Sequence, residues 1–488
     1  MMKKIIVTGA TLVMALLIAA PSFAIEHKVT GTLTFDGILN VVEDTDEETM
    51  TYREMQLRIF TESKVNEKIT LHTRFDVLDR VLNNPQDNVG DGTWANEDDN
   101  IQMDRAWMDI ITPVGLLTFG RVEYSKWGTD FYDDGSEGAD RIKLVTPIAM
   151  GAGKLYIGLV AEKALEAGAQ DNPIVSNRDN DKFYLSGTYA TKDYRTGLLL
   201  GYYPYNSFLN PALDLDANFL YIAPYFSGKI GPINLNAEFG MITGEYEMRD
   251  SSPLYAFYNL AGLSTKGDFD TTCYWVEAGY PIGKANIELG YYFMSGDKTS
   301  VLNQAGSYGA SGATATAFLT SYYTALAGGA TPAAAQASAI ADNAAGLAAL
   351  QGYDDIESAG IMARGSDWEK VFILTSDDHG IGGNMLDTSS AMNASGLNLM
   401  YLAGSYEITD TFSINGLVAM ATTDVTASGV DDNVGTEVDL GFSWKCMDNL
   451  VYNGRAGYLM GGDWWKESGQ TTDDLTITAL YHELVLSF

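Results

Sequence analysis

The sequence predicts an all-β fold, a transmembrane antiparallel β-barrel of about 18 strands, with 16 as the fallback count, joined by short turns at one end and long loops at the other. Three observations predict it. Segments that alternate apolar and polar residues recur from one end of the chain to the other. The connections between them alternate short and long. The chain also stops in mid-alternation on an aromatic residue, Phe488.

Residues 1–24 open on the basic "MMKK", run through the apolar "IIVTGATLVMALLIAA" and close on small residues in "PSFA". These are the three parts of a secretory signal peptide, with Ala24 the last residue removed. The apolar run is near the lower limit for a membrane span, and no other stretch approaches a transmembrane helix. Residues 25–488 are therefore expected outside the cytoplasm as one barrel domain, with 297–393 a long, partly helical loop insertion.

Composition narrows the class. Of the 30 basic residues the signal removes two lysines and none of the 64 acids, which leaves 28 bases against 64 acids and a net charge of −36. Such a chain repels nucleic acid, whose affinity comes mainly from phosphate contacts. Cys273 and Cys446 are the only cysteines, too few for a disulfide scaffold. The barrel places them near opposite ends of their strands, beyond bridging distance. The four histidines (His27, His72, His379, His482) are scattered, and no nucleophile elbow or phosphate loop is present. Neither an enzyme site, a metal nor a cofactor is expected.

The strands follow in order. "EHKVTGTLTFDGILNVV" opens the exported chain, then "MTYREMQLRIFTES", "EKITLHTRFDVLDRV", "IQMDRAWMDII", "GLLTFGRVEY", "DRIKLVTPI" and "KLYIGLVAE". The middle holds "KFYLSGTYA", "YRTGLLLGYY", "NFLYIAPYF", "INLNAEFGMITGE", "TCYWVEAGYP" and "ANIELGYYF". "LNLMYLAGSYE", "FSINGLVAMA", "GTEVDLGFSWK", "LVYNGRAGYLM" and the terminal "TITALYHELVLSF" complete the set. Each has about the length that a tilted strand needs to cross a bilayer. In the third, Ile69, Leu71, Phe75 and Val77 oppose Lys68, His72, Arg74 and Asp76. In the thirteenth, Ile287, Leu289, Tyr291 and Phe293 oppose Asn286, Glu288 and Gly290. In the sixteenth, Val438, Leu440, Phe442 and Trp444 oppose Glu437, Asp439 and Ser443. One face suits hydrocarbon and the other water. Pro224, inside the tenth segment, forfeits a ladder hydrogen bond and predicts a bulge or an interface between barrels.

Short connections such as "KVN", "TPVG", "KIGP" and "CMDN" alternate with long polar ones such as "LNNPQDNVGDGTWANEDD" and "TTDVTASGVDDNV". All short turns then lie at one end, and the last strand pairs with the first so that neither edge is free. From Gly296 to Asn393 the strand rhythm lapses. Thr331 with Pro332 predicts a helix start, continuing to about Leu350. Two readings of this insertion stay open: a cap on the outer mouth, or a segment that folds inward and narrows the lumen. The acidic runs "DDGSEGAD" and "NEDDN" are expected as solvated loops, or as holders of divalent cations that bridge to surface lipopolysaccharide.

The stretch Arg105 to Arg141, "RAWMDIITPVGLLTFGRVEYSKWGTDFYDDGSEGADR", carries the most local information. Arg105 with Trp107, the tight turn Pro113 to Gly115, "TFGR" ending on Arg121, and "DRIKLVTP" with Lys143 resemble a general bacterial porin of the trimeric Gram-negative type. "GTEVDLGFSWKCMDNL" and the terminal Phe488, as barrel closure and C-terminal signal, fit the same family. The resemblance implies an outer-membrane channel, a homotrimer set in lipid and lipopolysaccharide, and an inward loop, here Glu123 to Gly138. That loop is short for the family and lacks its usual tip, and the insertion after Gly296 is a further departure.

A charge on the lipid face at mid-bilayer costs about 2–4 kcal/mol, so Arg58, Arg74, Arg105, Arg121 and Lys143 are expected to face the lumen as a basic wall. Leu117 and Phe119 would then share the side of Arg121, with Thr118 and Gly120 toward lipid. Asp130, Asp133 and Asp134 lie in the connection after the fifth strand and would face that wall if the loop turns inward. Acids against bases across a pore make a transverse field that favours water and dipolar solutes. The expected function is passive diffusion of small hydrophilic solutes and ions. The alternatives are a solute-specific, sugar-type channel suggested by Tyr52, Tyr156, Tyr184 and Tyr203, a plugged barrel acting as adhesin or sheath for a partner protein, and a soluble secreted β-protein.

Overall fold

A computed structural model describes residues 26–43, 48–81, 101–125, 127–132, 134–165, 179–208, 215–250, 255–296, 308–343, 355–356, 368, 370–375, 395–471 and 474–488. Residues 1–24 and the run "NEDDN" lie outside these. The strands are β1 Glu26–Glu43, β2 Glu48–Asn66, β3 Ile69–Val81, β4 Ile101–Thr112, β5 Gly115–Ser125, β6 Asp134–Met150, β7 Gly153–Leu165, β8 Asn180–Ala190, β9 Tyr194–Phe208 and β10 Leu215–Ile230. They continue as β11 Ile233–Met248, β12 Lys266–Ile282, β13 Ala285–Met294, β14 Asp355–Ile356, β15 Leu397–Thr409, β16 Phe412–Thr422, β17 Asn433–Met447, β18 Leu450–Gly461 and β19 Thr476–Ser487.

Each strand pairs antiparallel with its neighbour in sequence, save that β13 pairs directly with β15. The two-residue β14 lies parallel to the outer end of β12, beyond the point where β13 stops. The first and last strands close the ring from Thr32↔Ser487 to Glu43↔Thr476. The result is an 18-stranded barrel, and each of its strands falls on one of the segments read from the alternation. At the seam, the backbone N–H of Phe488 donates to the Gly31 carbonyl at 3.0 Å and that of Gly31 to the Phe488 carbonyl at 2.9 Å. The Phe488 ring lies over Gly31, where a Cβ would sit 2.5 Å from the ring. Glycine at this position lets the terminal aromatic lie flat on the first strand.

Eight connections of two or three residues gather at one end. In the β4–β5 turn the Thr112 hydroxyl accepts from the N–H groups of Val114 and Gly115 and donates to the Gly115 carbonyl. Thr191 does the same for the β8–β9 turn. A threonine hydroxyl thus satisfies donors that a tight turn leaves over. Gly231 and Gly283 hold left-handed conformations, each at φ +63°, in the β10–β11 and β12–β13 turns, which a residue with a Cβ rarely adopts.

The two faces of the wall differ as a bilayer requires. Leu440 is 66% exposed, Leu289 56%, and Leu159, Leu185, Met400, Leu402 and Met420 also project outward. Residues at the opposite parity of the same strands, Asp439, Glu437, Tyr401 and Tyr292 among them, point inward and are buried. That inverts the arrangement of a soluble protein and matches a membrane barrel.

The long connections carry the helices: α1 Tyr255–Ala261, α2 Tyr308–Ala327, α3 Pro332–Asp342, α4 Phe372–Thr375 and α5 Trp464–Glu467. Thr331 caps α3 by accepting from the Ala334 N–H at 3.3 Å, and Pro332 occupies the first turn. The described helix ends at Asp342 rather than near Leu350; residues 344–350 lie outside the described set. α2 and α3 pack on α1 of the β11–β12 connection, through Phe318 against Phe257 and Gln336 donating to the Leu260 carbonyl. These two helices of the insertion cap the outer end.

Candidate functional site: a charged lumen crossed by two inward segments

The inner face of β2–β8 carries rows of opposite charge. Arg58 meets Asp76 at 3.4 Å, and Arg74 meets Asp76 at 3.2 Å. The β3–β4 register shifts after Arg74↔Arg105 and leaves Asp104 as an extra residue. Its carboxylate takes Arg74 Nε at 2.7 Å and Arg105 Nε at 2.8 Å. A bulge thus supplies the acid that lets two arginines sit opposite each other. Further round, Glu162 binds Arg141 at 2.6 Å and Lys182 at 3.3 Å. Asp109 takes the Thr118 hydroxyl at 2.5 Å and His72 Nε2 at 3.3 Å, and the His72 ring stacks on Trp107 at 4.8 Å. Lys143 sits beside Thr118 in the ladder, two strands from Asp109 in the same row.

Four of the five bases expected at the lumen therefore face it. Arg121 does not. The two-residue turn at Pro113–Val114 sets Thr112 opposite Gly115, which places Arg121 opposite Ala106 and Asp109 opposite Thr118. Leu117, Phe119 and Arg121 thus lie on the outer face, and Thr118 and Gly120 face inward, the reverse of the sequence reading. Arg121 is half exposed and pairs with the outward Asp140 at 3.7 Å. The lumenal base of this row is Arg141, opposite Gly120.

The β5–β6 connection turns inward, and it is shorter than the expected Glu123 to Gly138. β5 runs to Ser125 and β6 starts at Asp134, so most of "DDGSEGAD" is strand rather than loop. Of the expected acids, Asp130 is exposed in a single 3-10 turn, Asp134 opens β6, and Asp133 lies outside the described residues. The loop docks through other groups. Trp127 donates its indole N–H to the Ala223 carbonyl at 3.1 Å. That carbonyl sits where β10–β11 pairing breaks between Ile222↔Met241 and Tyr225↔Glu238, at Pro224. The proline's missing donor interrupts the β10–β11 ladder, while the Ala223 carbonyl itself belongs to the intact β9–β10 pairing opposite Leu199, so the loop docks beside the gap. Thr129 donates its N–H and hydroxyl to Glu238 Oε2 at 2.7 and 2.5 Å. Phe131, fully buried, packs against Trp275, Tyr292 and Trp368 at 6.1, 5.8 and 5.6 Å between ring centroids.

Trp368 belongs to the insertion, of which the described residues 368 and 370–375 lie inside the barrel. The N–H groups of Ile373 and Leu374 donate to the two oxygens of Glu437 at 2.6 and 2.9 Å, and that of Phe372 to Asp439 at 3.0 Å. Both carboxylates project from the inner face of β17. Lys370 reaches Glu277 on β12 at 3.1 Å and lies over the Trp275 ring at 5.3 Å. Arg455 on β18 binds Asp439 at 2.9 Å and the Lys370 carbonyl at 2.8 Å, with its guanidinium over Phe372. Tyr401 donates to Glu277 at 2.7 Å and accepts from the Trp275 indole at 2.8 Å. Residues 368 and 370–375 thus form a strap fixed to β12, β17 and β18. The acids that face the basic wall come from β11, β12 and β17, not from the β5–β6 loop.

Sequence reasoning placed Glu437 and Asp439 on the wet face but gave no sign that a segment more than 60 residues earlier would land on them. Tyr184 and Tyr203 do face inward, in an aromatic arc with Tyr205 and Tyr221; the side chain of Tyr52 lies outside the described set.

No protein-family model matches the chain, and no curated protein matches it. Among solved structures it is similar to OccK8 (OprE) of Pseudomonas aeruginosa, at 11% identity over 94% of this chain and 98% of that one, with a TM-score of 0.46. A BenF-like porin from Pseudomonas fluorescens Pf-5 gives 10%, 94%, 99% and 0.48. OccK2 (OpdF) of Pseudomonas aeruginosa, solved in complex with glucuronate, gives 12%, 94%, 98% and 0.47. At these values the likeness adds nothing to what the ladder of this chain establishes by itself. The chain is a closed antiparallel β-barrel of 18 strands, apolar outside and charged within, of the membrane-spanning kind.

Proposed function

We propose that the chain is a porin of a bacterial outer membrane, passing small hydrophilic solutes and ions by diffusion down their gradients. One observation carries this reading: the inner face of an apolar-jacketed barrel is built of charge rows on β2–β8 opposed by carboxylates on β11, β12 and β17. Closing a barrel does not require such rows, since the backbone ladder already satisfies the strands. Opposed charges orient water and dipoles across the lumen and hold the interior wet. The two inward segments narrow it from the β10–β18 side, through loop 127–132 and the strap of residues 368 and 370–375.

Export by the signal at residues 1–24, insertion among outer-membrane lipid and lipopolysaccharide, with divalent cations at the acidic outer connections, and assembly as a homotrimer complete the reading. Reconstitution in planar bilayers tests it. Discrete ohmic steps in simple salt support a pore; a barrel that inserts yet conducts no ions contradicts it and favours the plugged, adhesin-like alternative.

A second reading, a solute-specific channel, is favoured by the arc of Tyr184, Tyr203, Tyr205 and Tyr221 on β8–β10, with Lys182 over the Tyr203 ring at 5.7 Å. Flat aromatic faces beside charges suit ring-shaped polar solutes. Liposome-swelling rates that saturate with one solute class support it; rates that fall only with solute size support the general pore.

A further inference from the structure

Beside the strap, the inner faces of β13 and β15–β19 form a half-open pocket of about 320 Å³, lined by Glu288, Asn415, Asp439, Asn453 and Arg455, with Lys370 of the strap contributing to its wall. That is about ten waters' share of liquid volume, within the size of small-molecule sites. Its charges do not balance. The Lys370 ammonium is taken by Glu277 and the Arg455 guanidinium by Asp439. Glu437, fully buried, is filled by the strap's N–H groups. Glu288 remains. Its carboxylate accepts from the Asn286 amide at 2.7 Å and makes no ion pair among the described residues, the nearby Lys370 being in contact with Glu277 instead. Asp439, 2% exposed, keeps Oδ1 without a hydrogen-bond partner. A partly desolvated site with excess carboxylate gains most from a positive ligand. The remaining lining, the amides of Asn415 and Asn453 and the hydroxyls of Ser405 and Ser443, offers donors and acceptors with no net charge.

We propose that this cavity is a solute site for small hydroxylated primary ammonium compounds, of the amino-sugar class, with Glu288 binding the ammonium. It rests on the porin reading, since the solute must reach the lumen. Arg455 and Lys370 act as positioning residues: they hold the strap that forms part of the wall, and their charges are already compensated. A neutral sugar of the same shape meets the same amides and hydroxyls but forgoes the charge-assisted hydrogen bond. An anionic sugar acid faces Glu288 as a like charge.

The test uses the full-length barrel in planar bilayers, titrated with glucosamine, glucose or gluconate near neutral pH. Glucosamine should reduce ion current saturably, at concentrations about tenfold below glucose, the factor expected for one hydrogen bond to a charged group; gluconate should be weakest. Glu288→Gln keeps the side chain's shape and should bring glucosamine block, scaled to each channel's own open current, to the level of glucose, with heat-dependent gel mobility unchanged. Glucosamine acting no better than glucose, or a Glu288→Gln channel with unaltered glucosamine block, overturns the proposal. A barrel without ion current overturns the porin reading instead. The site is then assayed by glucosamine quenching of tryptophan fluorescence in detergent, where Trp275 lies against Lys370; no saturable change with wild type rejects it there too.

Discussion

Replacing Glu437 by alanine should release the strap while leaving the barrel standing. The side chain accepts from two consecutive backbone N–H groups, Ile373 and Leu374, in a site with no solvent exposure. A buried donor left without an acceptor costs about 1–3 kcal/mol. Two such losses total about 2–6 kcal/mol against the docked strap, a shift of at least about thirtyfold toward undocked forms. Phe372 to Asp439, Lys370 to Glu277 and Arg455 to the Lys370 carbonyl remain, so the undocked forms should be intermittent. The ladder is untouched, because Glu437 pairs with Ala419 and Leu459 through its backbone. Single-channel recording should show brief excursions to a higher conductance absent from wild type. Glu437→Gln, which keeps one acceptor oxygen, should fall between. A Glu437→Ala protein with normal heat-dependent gel mobility and wild-type current traces would refute the role given to these two hydrogen bonds.

Other expectations follow from the same geometry. Arg121→Gln, on the outer face, should leave ion selectivity unchanged, whereas Arg141→Gln, which strips Glu162 of a partner at 2.6 Å, should raise cation preference in reversal potentials under a salt gradient. Arg74→Ala removes a guanidinium shared by Asp76 and Asp104; breaking a buried pair this way costs about 3–5 kcal/mol, read as a lower midpoint in urea unfolding from detergent or lipid. Gly31→Val places methyl groups where the Phe488 ring and the Arg58 carbonyl already sit, and should slow barrel assembly, measured by the appearance of the fast-migrating folded band on unheated gels.

The strands were legible because each repeats a two-residue period with its own chemistry, and hydrocarbon and water enforce that period over the strand's whole length. Arg121 shows the limit. "LLTFGR" has leucine, phenylalanine and arginine at one parity and leucine, threonine and glycine at the other, so the local pattern fits either face. The β4–β5 turn decides, by setting which β4 residue lies opposite each position. The inward loop was legible as a loop, but through its aspartates; its contacts are made by Trp127, Thr129 and Phe131, which the quoted stretch contains without a periodic signal. Pro224 was legible as a break in the ladder, while the docking of Trp127 on the neighbouring Ala223 carbonyl depends on a residue about a hundred positions away. The strap is the extreme case. Nothing local in "WEKVFILT" points to Glu437, since its partners are backbone N–H groups that every residue but proline carries.

The central claim is that the apolar face of the wall meets lipid and the charged face meets water. Spin labels at Leu289 and Leu440 of β13 and β17, and at Asn415 on the inner face of β16, test it in reconstituted membranes by collisional access to oxygen, which partitions into lipid, and to a water-soluble nickel complex. Labels at Leu289 and Leu440 should favour oxygen and the label at Asn415 the nickel complex. Leu289 and Leu440 labels that meet neither reagent, as side chains packed in a sealed protein interior would, contradict it.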